Sequence, residues 1–159
     1  MTVELTSTAF DQGKPIPTKY TGEGADVSPP LSWSGLPEGT RELALICDDP
    51  DAPRPQPWVH WVIYKLPADT AGLAEGVEPK PELTEPVEAM QGENSWPSGQ
   101  TIGYRGPMPP PGKPHRYFFK LYALDTELDA EPGLSKEALL AKMKNHILDT
   151  GQLMGTYKR

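Results

Sequence analysis

The sequence contains a single cysteine, Cys47, among its 159 residues. Without a second cysteine no internal disulfide can form, so nothing in the sequence requires an oxidising compartment. Cys47 ends the apolar run at residues 41–47. A small, weakly polar thiol in such a run is typical of a buried core residue, and we interpret Cys47 in that way.

Positive charge is also scarce: 15 Lys and Arg residues face 22 Asp and Glu residues, and the net charge is −7. This balance argues against a general nucleic-acid or anionic-membrane surface, but it is compatible with one small anion pocket, because a pocket depends on local donors. No apolar run approaches the length of a membrane span, and the first residues carry acid instead of a basic, apolar signal segment. We therefore expect a soluble, cytoplasmic protein with no nucleic-acid partner.

The motifs of several enzyme classes are missing as well. The sequence has no G-x-S-x-G nucleophile elbow, and it has neither the glycine pattern of a P-loop nor that of a dinucleotide-binding turn. These absences favour a protein that is not an enzyme and that carries no cofactor.

Proline and glycine are abundant, with 20 and 15 residues, but apolar runs and ten Trp and Tyr residues interrupt them (four and six). We interpret this pattern as loops on a packed core. Short β-prone segments predict strands at residues 3–10, 31–33, 41–47, 59–66, 116–124 and 153–157. The chain is expected to form one domain, residues 1–159, of an all-β, antiparallel sandwich.

Two finer predictions concern the late helix and the strand at 59–66. Ser135 can cap a helix in which Leu140, Met143 and Ile147 recur at helical spacing, with Gly151 as its stop. In the strand, strict alternation predicts two faces: Trp58, His60, Val62 and Tyr64 on one, and Val59, Trp61 and Ile63 on the other.

Two proline-rich loops carry the residues with the most chemistry. An apolar run is followed directly by the carboxylates of Asp48, Asp49 and Asp51. The prolines after them restrict the backbone that leads to His60. Residues 91–114 have no hydrophobic periodicity, and long irregular tracts of this kind tend to be functional. The tract leads into His115 and then Tyr117. Two rigid loops, each with a histidine at the start of a strand, predict two halves of one site.

The predicted site suits an oxyanion such as phosphate, sulfate or carboxylate. Two imidazoles, the Tyr117 hydroxyl and the amides of a glycine-rich loop would supply donors. One of Asp49 and Asp51 is expected to cap a turn, and the other to hold a histidine in its charged form. An alternative is a metal-dependent or acid/base enzyme that uses His60, His115 and Asp49.

Three motifs carry a family resemblance: DPDAP at residues 49–53, WVHW at 58–61 and GYRGPMPPPGKPHRY at 103–117. Together with SPPLSW, GENSWPSG and the end of the chain, they resemble the phosphatidylethanolamine-binding protein (PEBP) family, in its bacterial Raf-kinase-inhibitor-like branch. The resemblance covers nearly the whole chain. Met108 departs from it, standing where a cysteine is common.

The resemblance implies a two-sheet antiparallel β-sandwich with a C-terminal helix and a small anion pocket for a phosphate or phosphorylated headgroup, as in a phospholipid. It assigns the pocket by matching motif to Asp49, Trp58, His60, Pro110, His115 and Tyr117, with Pro109 and Pro111 as alternatives to Pro110. Asp51 and Pro53 are expected to brace the first loop. A kinase or protease partner and a homodimer are further expectations, as is the absence of a metal.

Overall fold

The computed structural model describes residues 3–159, which form two antiparallel sheets and one α-helix. Antiparallel pairing follows from the many short strands joined by turns, as the sequence predicts. The strands and the helix, in chain order, are β1 (Glu4–Thr6), β2 (Leu31–Ser34), β3 (Glu42–Asp49), β4 (Trp58–Pro67), β5 (Gly72–Leu73), β6 (Glu82–Leu83), β7 (Ala89–Gln91), β8 (His115–Leu124), α1 (Lys136–Met143) and β9 (Ile147–Tyr157).

The smaller sheet has the order β1-β2-β5, and the larger has the order β6-β7-β4-β3-β8-β9. Strands β4, β3 and β8 are neighbours and antiparallel, so the C-terminal end of β3 lies beside the N-terminal ends of β4 and β8, at one end of the sheet. The all-β fold class with two antiparallel sheets and a late helix is therefore confirmed. No helix within residues 3–159 is both long enough and apolar enough to cross a membrane.

The larger sheet is covered on both faces, which explains why β3 consists almost entirely of buried residues. One face packs against the smaller sheet, and the other packs under α1 through Leu139 and Met143. Cys47 lies in the core between the sheets and is a free, buried thiol. Both faces of such a strand lie in the core, so consecutive residues along it must be apolar, as residues 43–47 are.

The predicted faces of β4 are correct from Trp61 to Tyr64 but wrong at Val59, because the strand contains a β-bulge. Cys47 pairs with Trp61 but Asp48 pairs with Val59, so His60 is an extra residue in β4. The bulge breaks the two-residue period. As a result Val59, Val62 and Tyr64 share the α1 side, whereas Trp61 and Ile63 lie in the core between the sheets.

The predicted helix is also too long, since α1 ends at Met143. Asn145 then adopts a left-handed conformation with φ 70°, and Ile147 begins β9 opposite Leu124. Gly151 is not a helix stop. It lies inside β9, where a Cβ atom would come within 2.6 Å of the Val3 carbonyl oxygen. The long ladder with β8 outweighs the local helical spacing.

Gly155 fills a similar role beside the strand residue Tyr117, its partner in the ladder. A Cβ atom at Gly155 would lie 2.6 Å from Cγ1 of Ile16 and 2.7 Å from the ring of Phe10. The N-terminal segment thus packs directly on the backbone of β9, and only glycine leaves room for it.

We expect Gly155→Ala to destabilise the protein by about 1–3 kcal/mol, because the added methyl group overpacks the core. Urea unfolding measures the change. The same substitution should cost less in an Ile16→Ala background, where the nearest clashing atom is gone. An equal cost in both backgrounds would contradict this explanation.

Candidate functional site

Three neighbouring strands place polar and aromatic side chains together at one end of the larger sheet. Asp49 ends β3, Trp58 begins β4 and His115 begins β8. Because β3 runs antiparallel to both neighbours, residues that are distant in sequence meet at this end of the sheet. A cavity of about 240 Å³ opens there. It is lined by Asp49, Ala52, Pro53, Arg54, Trp58, His60, Trp96, Met108, Pro109, Pro110, His115 and Tyr117.

Asp49 connects the two halves of this cavity. Its side chain accepts a hydrogen bond from His115 Nδ1 at 2.7 Å through Oδ2, and another from the backbone N–H of Asp51 at 2.7 Å through Oδ1. The residue is only 3% exposed. Burial raises the pKa of Asp49 above its ordinary value, and the hydrogen bonds from His115 and Asp51 offset this effect in part.

Asp51 ties the same loop to β8 from outside the cavity. Its carboxylate accepts hydrogen bonds from Nε and Nη2 of Arg116, and from the Arg116 backbone N–H, each at 2.9 Å. The hydrogen bonds from Arg116 hold the pKa of Asp51 below its ordinary value. A bidentate arginine fixes orientation as well as distance, so this contact sets how the loop after β3 sits on β8.

His60 is almost fully buried, at 3% exposed. Its Nδ1 lies 2.6 Å from the carbonyl oxygen of Arg105, which can only accept, so Nδ1 carries the proton. Burial lowers the pKa of His60 to about 4 and outweighs the nearby carbonyls of Arg105 and Gly106. At neutral pH the ring is therefore uncharged, and Nε2 presents a lone pair.

Aromatic rings form one wall of the cavity. His60 stands edge-to-face against Tyr117 and Trp96, with ring centroids 5.1 and 5.2 Å away, and Trp58 packs on Trp96 at 5.3 Å. Arg54 stacks on Trp58 from the mouth of the cavity, 4.4 Å from the ring centroid. Burial and nearby acids raise the pKa of Tyr117, so its hydroxyl stays protonated and can donate.

The loop before β8 offers fewer backbone donors than its glycines suggest. The Gly106 N–H donates to Oδ1 of Asp26 at 2.7 Å, and the Gly112 N–H donates to the Arg159 carbonyl oxygen at 3.3 Å. The prolines between them have no N–H. Met108 is thus the one residue between Gly106 and Gly112 that has an amide hydrogen, and a cradle of several loop amides is not available.

The structure places all six residues assigned to the pocket around one cavity. Pro53, which was expected to brace the loop, also lines the cavity, whereas Asp51 braces from outside. Of the three adjacent prolines, Pro109 and Pro110 line the cavity and Pro111 does not. The role of each residue in binding stays a prediction.

Four lining residues were not among the predicted site residues: Ala52, Arg54, Trp96 and Met108. Trp96 had a signal, because it is the tryptophan of the irregular tract at 91–114. Arg54 had none, since one arginine in a proline-rich loop is usually solvated. His146, the third histidine of the sequence, follows the helix and pairs with Asp125 at 2.9 Å.

The metal alternative gains no support from the arrangement of ligands. Within residues 3–159, no three His, Cys, Asp or Glu side chains group as a metal centre requires. Acid/base chemistry has a clearer basis, because the Asp49–His115 pair could transfer a proton.

The fold and the cavity define a small β-sandwich with a recessed polar site at one end of the larger sheet. A family model described as "Phosphatidylethanolamine-binding protein" matches residues 6–158. The chain belongs to this family.

Three similar proteins match this chain along nearly their whole length. A UPF0098 protein from Methanothermobacter thermautotrophicus is 52% identical, over 99% of each chain. A phosphatidylethanolamine-binding protein homologue from Chlamydia trachomatis has a TM-score of 0.87 and 43% identity, covering 99% of this chain and 98% of its own. YbcL of Escherichia coli, described as a member of the mammalian PEBP family, has a TM-score of 0.89 and 31% identity, covering 100% and 99%.

We expect His60 to make the unliganded protein less stable in mild acid. Its pKa is 6.5 when unfolded and about 4 when folded, so the unfolded state binds more protons between these values. The free energy of unfolding should therefore fall as the pH drops through this window, by at most about 3 kcal/mol. Urea unfolding at a series of pH values measures it.

His60→Gln should flatten this profile, and His146→Gln, which removes an exposed histidine, should leave it as in the wild type. The lowered pKa of Asp51 affects stability only below its ordinary value of 3.8. The raised pKa of Asp49 has the opposite sign but is common to all three proteins. Equal slopes in the wild type and His60→Gln would refute the assignment to His60.

Proposed function

We propose that the protein is a non-catalytic binding protein whose cavity takes a phosphate monoester or a phosphorylated headgroup. The observation that carries the proposal is the convergence of His60, His115 and Tyr117, three polar rings from two strands, around one recessed cavity. Such a group can contact several oxygens of one tetrahedral oxyanion at once. The family's description supports a phosphorylated headgroup as the ligand class.

The size of the cavity favours a small ligand. Its volume of about 240 Å³ is below the range of roughly 300–1,000 Å³ typical of pockets for larger organic ligands. A phosphoryl group with a short substituent fits this space, and the acyl chains of a lipid would have to stay outside. The apolar rim formed by Trp58, Met108 and Pro110 could contact the part of the ligand that leaves the cavity.

The charges at the mouth favour an anion although the protein is acidic overall. Arg54 and Arg105 stack on the two tryptophans of the wall, 4.4 and 4.5 Å from the ring centroids. The nearest acids are engaged: Asp49 with His115, and Asp51 with Arg116. Local cations therefore face an incoming anion, whereas most of the surplus negative charge lies elsewhere on the surface.

We expect Tyr117→Phe to weaken binding of methyl phosphate about 10- to 100-fold, because it removes one hydrogen bond to a charged ligand. Isothermal titration calorimetry measures the affinity. Tyr122→Phe is the matched control, since Tyr122 belongs to the cluster on the α1 face of the larger sheet. Equal losses in both variants would argue against a donor role for Tyr117.

A thermal-shift series separates the classes of function. If only the folded state binds, a ligand at a hundredfold excess over Kd should stabilise the protein by about 2.7 kcal/mol. Turnover of p-nitrophenyl phosphate that is lost in His115→Ala would favour the acid/base enzyme instead. Stabilisation by divalent metals alone would favour a metal site, and no response to any of these compounds would favour a protein partner.

A further inference from the structure

The walls of the cavity are short of hydrogen-bond donors for an anion. A phosphate dianion only accepts hydrogen bonds, so each wall atom that contacts it should carry a hydrogen. Nδ1 of His60 and Nδ1 of His115 are committed to the Arg105 carbonyl oxygen and the Asp49 carboxylate. The loop amides at Gly106 and Gly112 are committed as well. This leaves the Tyr117 hydroxyl and the Met108 amide as neutral donors nearby.

Nε2 of His60 is the atom that this shortage makes decisive. His60 lines the cavity, and its Nε2 makes no hydrogen bond with any described residue. Every buried side-chain polar atom in the described chain has a hydrogen-bond partner, so Nε2 is not among the buried atoms. Nε2 is therefore open to the cavity. In the neutral ring Nε2 carries a lone pair, and this lone pair would repel an unprotonated phosphate oxygen.

We propose that the cavity takes up a phosphate monoester together with one proton, which is held between His60 Nε2 and a phosphate oxygen. This inference rests on the proposed function and specifies the protonation state in which the ligand is bound. One proton converts the repulsive contact between two lone pairs into a hydrogen bond, whether it formally resides on the ring or on the phosphate. Affinity is then linked to pH.

The other groups around His60 do not replace this proton. From β8, His115 and the Tyr117 ring face it, and from β3 the Asp49 carboxylate lies beyond His115. From the tract after β7, Arg105 offers its carbonyl oxygen to His60 while its guanidinium stacks outside on Trp96. From the first loop, Arg54 stacks on Trp58 at the mouth. A charge on His115 would itself oppose a charge on the unliganded His60.

The source of the proton depends on the pH. The second pKa of a phosphate monoester is about 6, so above that value the ligand is mainly a dianion and the proton must come from solvent. Below it the monoanion brings its own proton, and binding should take up little or none. Sulfate carries no proton in either range, so its binding should take up a proton throughout.

Calorimetric titration of methyl phosphate in buffers of different ionisation enthalpy counts the protons directly. At about pH 8 we expect uptake of about one proton per bound ligand, and Kd should rise about tenfold per pH unit above the second pKa of the ligand. At about pH 5 uptake of methyl phosphate should fall towards zero, but that of sulfate should persist.

Two histidine variants locate the proton. His60→Gln places a permanent amide donor near the position of Nε2, so it should bind methyl phosphate with little proton uptake at about pH 8. His146→Gln is the matched control and should keep the wild-type uptake, because His146 lies beside Asp125, away from the cavity lining.

Each outcome has a distinct meaning. Binding by the wild type without proton uptake at alkaline pH overturns the inference but leaves the proposed function intact, and this holds even if His60→Gln fails to fold. Uptake that persists unchanged in His60→Gln also overturns it, since the proton then resides elsewhere. Failure of the wild type to bind methyl phosphate at any pH refutes the proposed function itself.

Discussion

The hydrogen bond between Asp49 and His115 is the contact on which the site depends. It joins the loop after β3 to the start of β8, two segments separated by 66 residues. Both Asp49 oxygens are engaged, the second by the Asp51 amide that begins the first loop. A buried carboxylate is tolerable only when its oxygens are satisfied, so the conformation of the loop and the position of His115 are fixed together.

The burial of the larger sheet on both faces determines the charge state of the histidine in the cavity wall. Core clusters on both faces hold β3, β4 and β8 rigid and keep water away from the ring of His60. The result is a recessed cavity with a neutral histidine in its wall, inside a protein of net charge −7. Preformed positive charge lies at the mouth, on Arg54 and Arg105, where it can attract an anion without being buried.

The sequence predicted strands and loops well where a single local signal was sufficient. The apolar run of β3 predicts a strand covered on both faces, and the proline-rich loops beside His60 and His115 mark the two halves of the cavity. Prediction failed where long-range pairing opposed a local pattern. The helical spacing that ends at Ile147 is overridden by the β8–β9 ladder, and the bulge at His60 breaks the alternation of β4.

The residue types along the chain by themselves determined the class of fold, the two histidine-bearing loops and the acidic surface. These properties follow from local backbone preferences and composition, which do not depend on distant partners. Only the tertiary structure decided which groups remain free to meet a ligand. Whether His60 donates or accepts depends on the Arg105 carbonyl 45 residues away, and whether the glycine-rich loop has free amides depends on Asp26 and Arg159. Hydrogen bonds between distant segments settle such questions, and a sequence pattern does not record them.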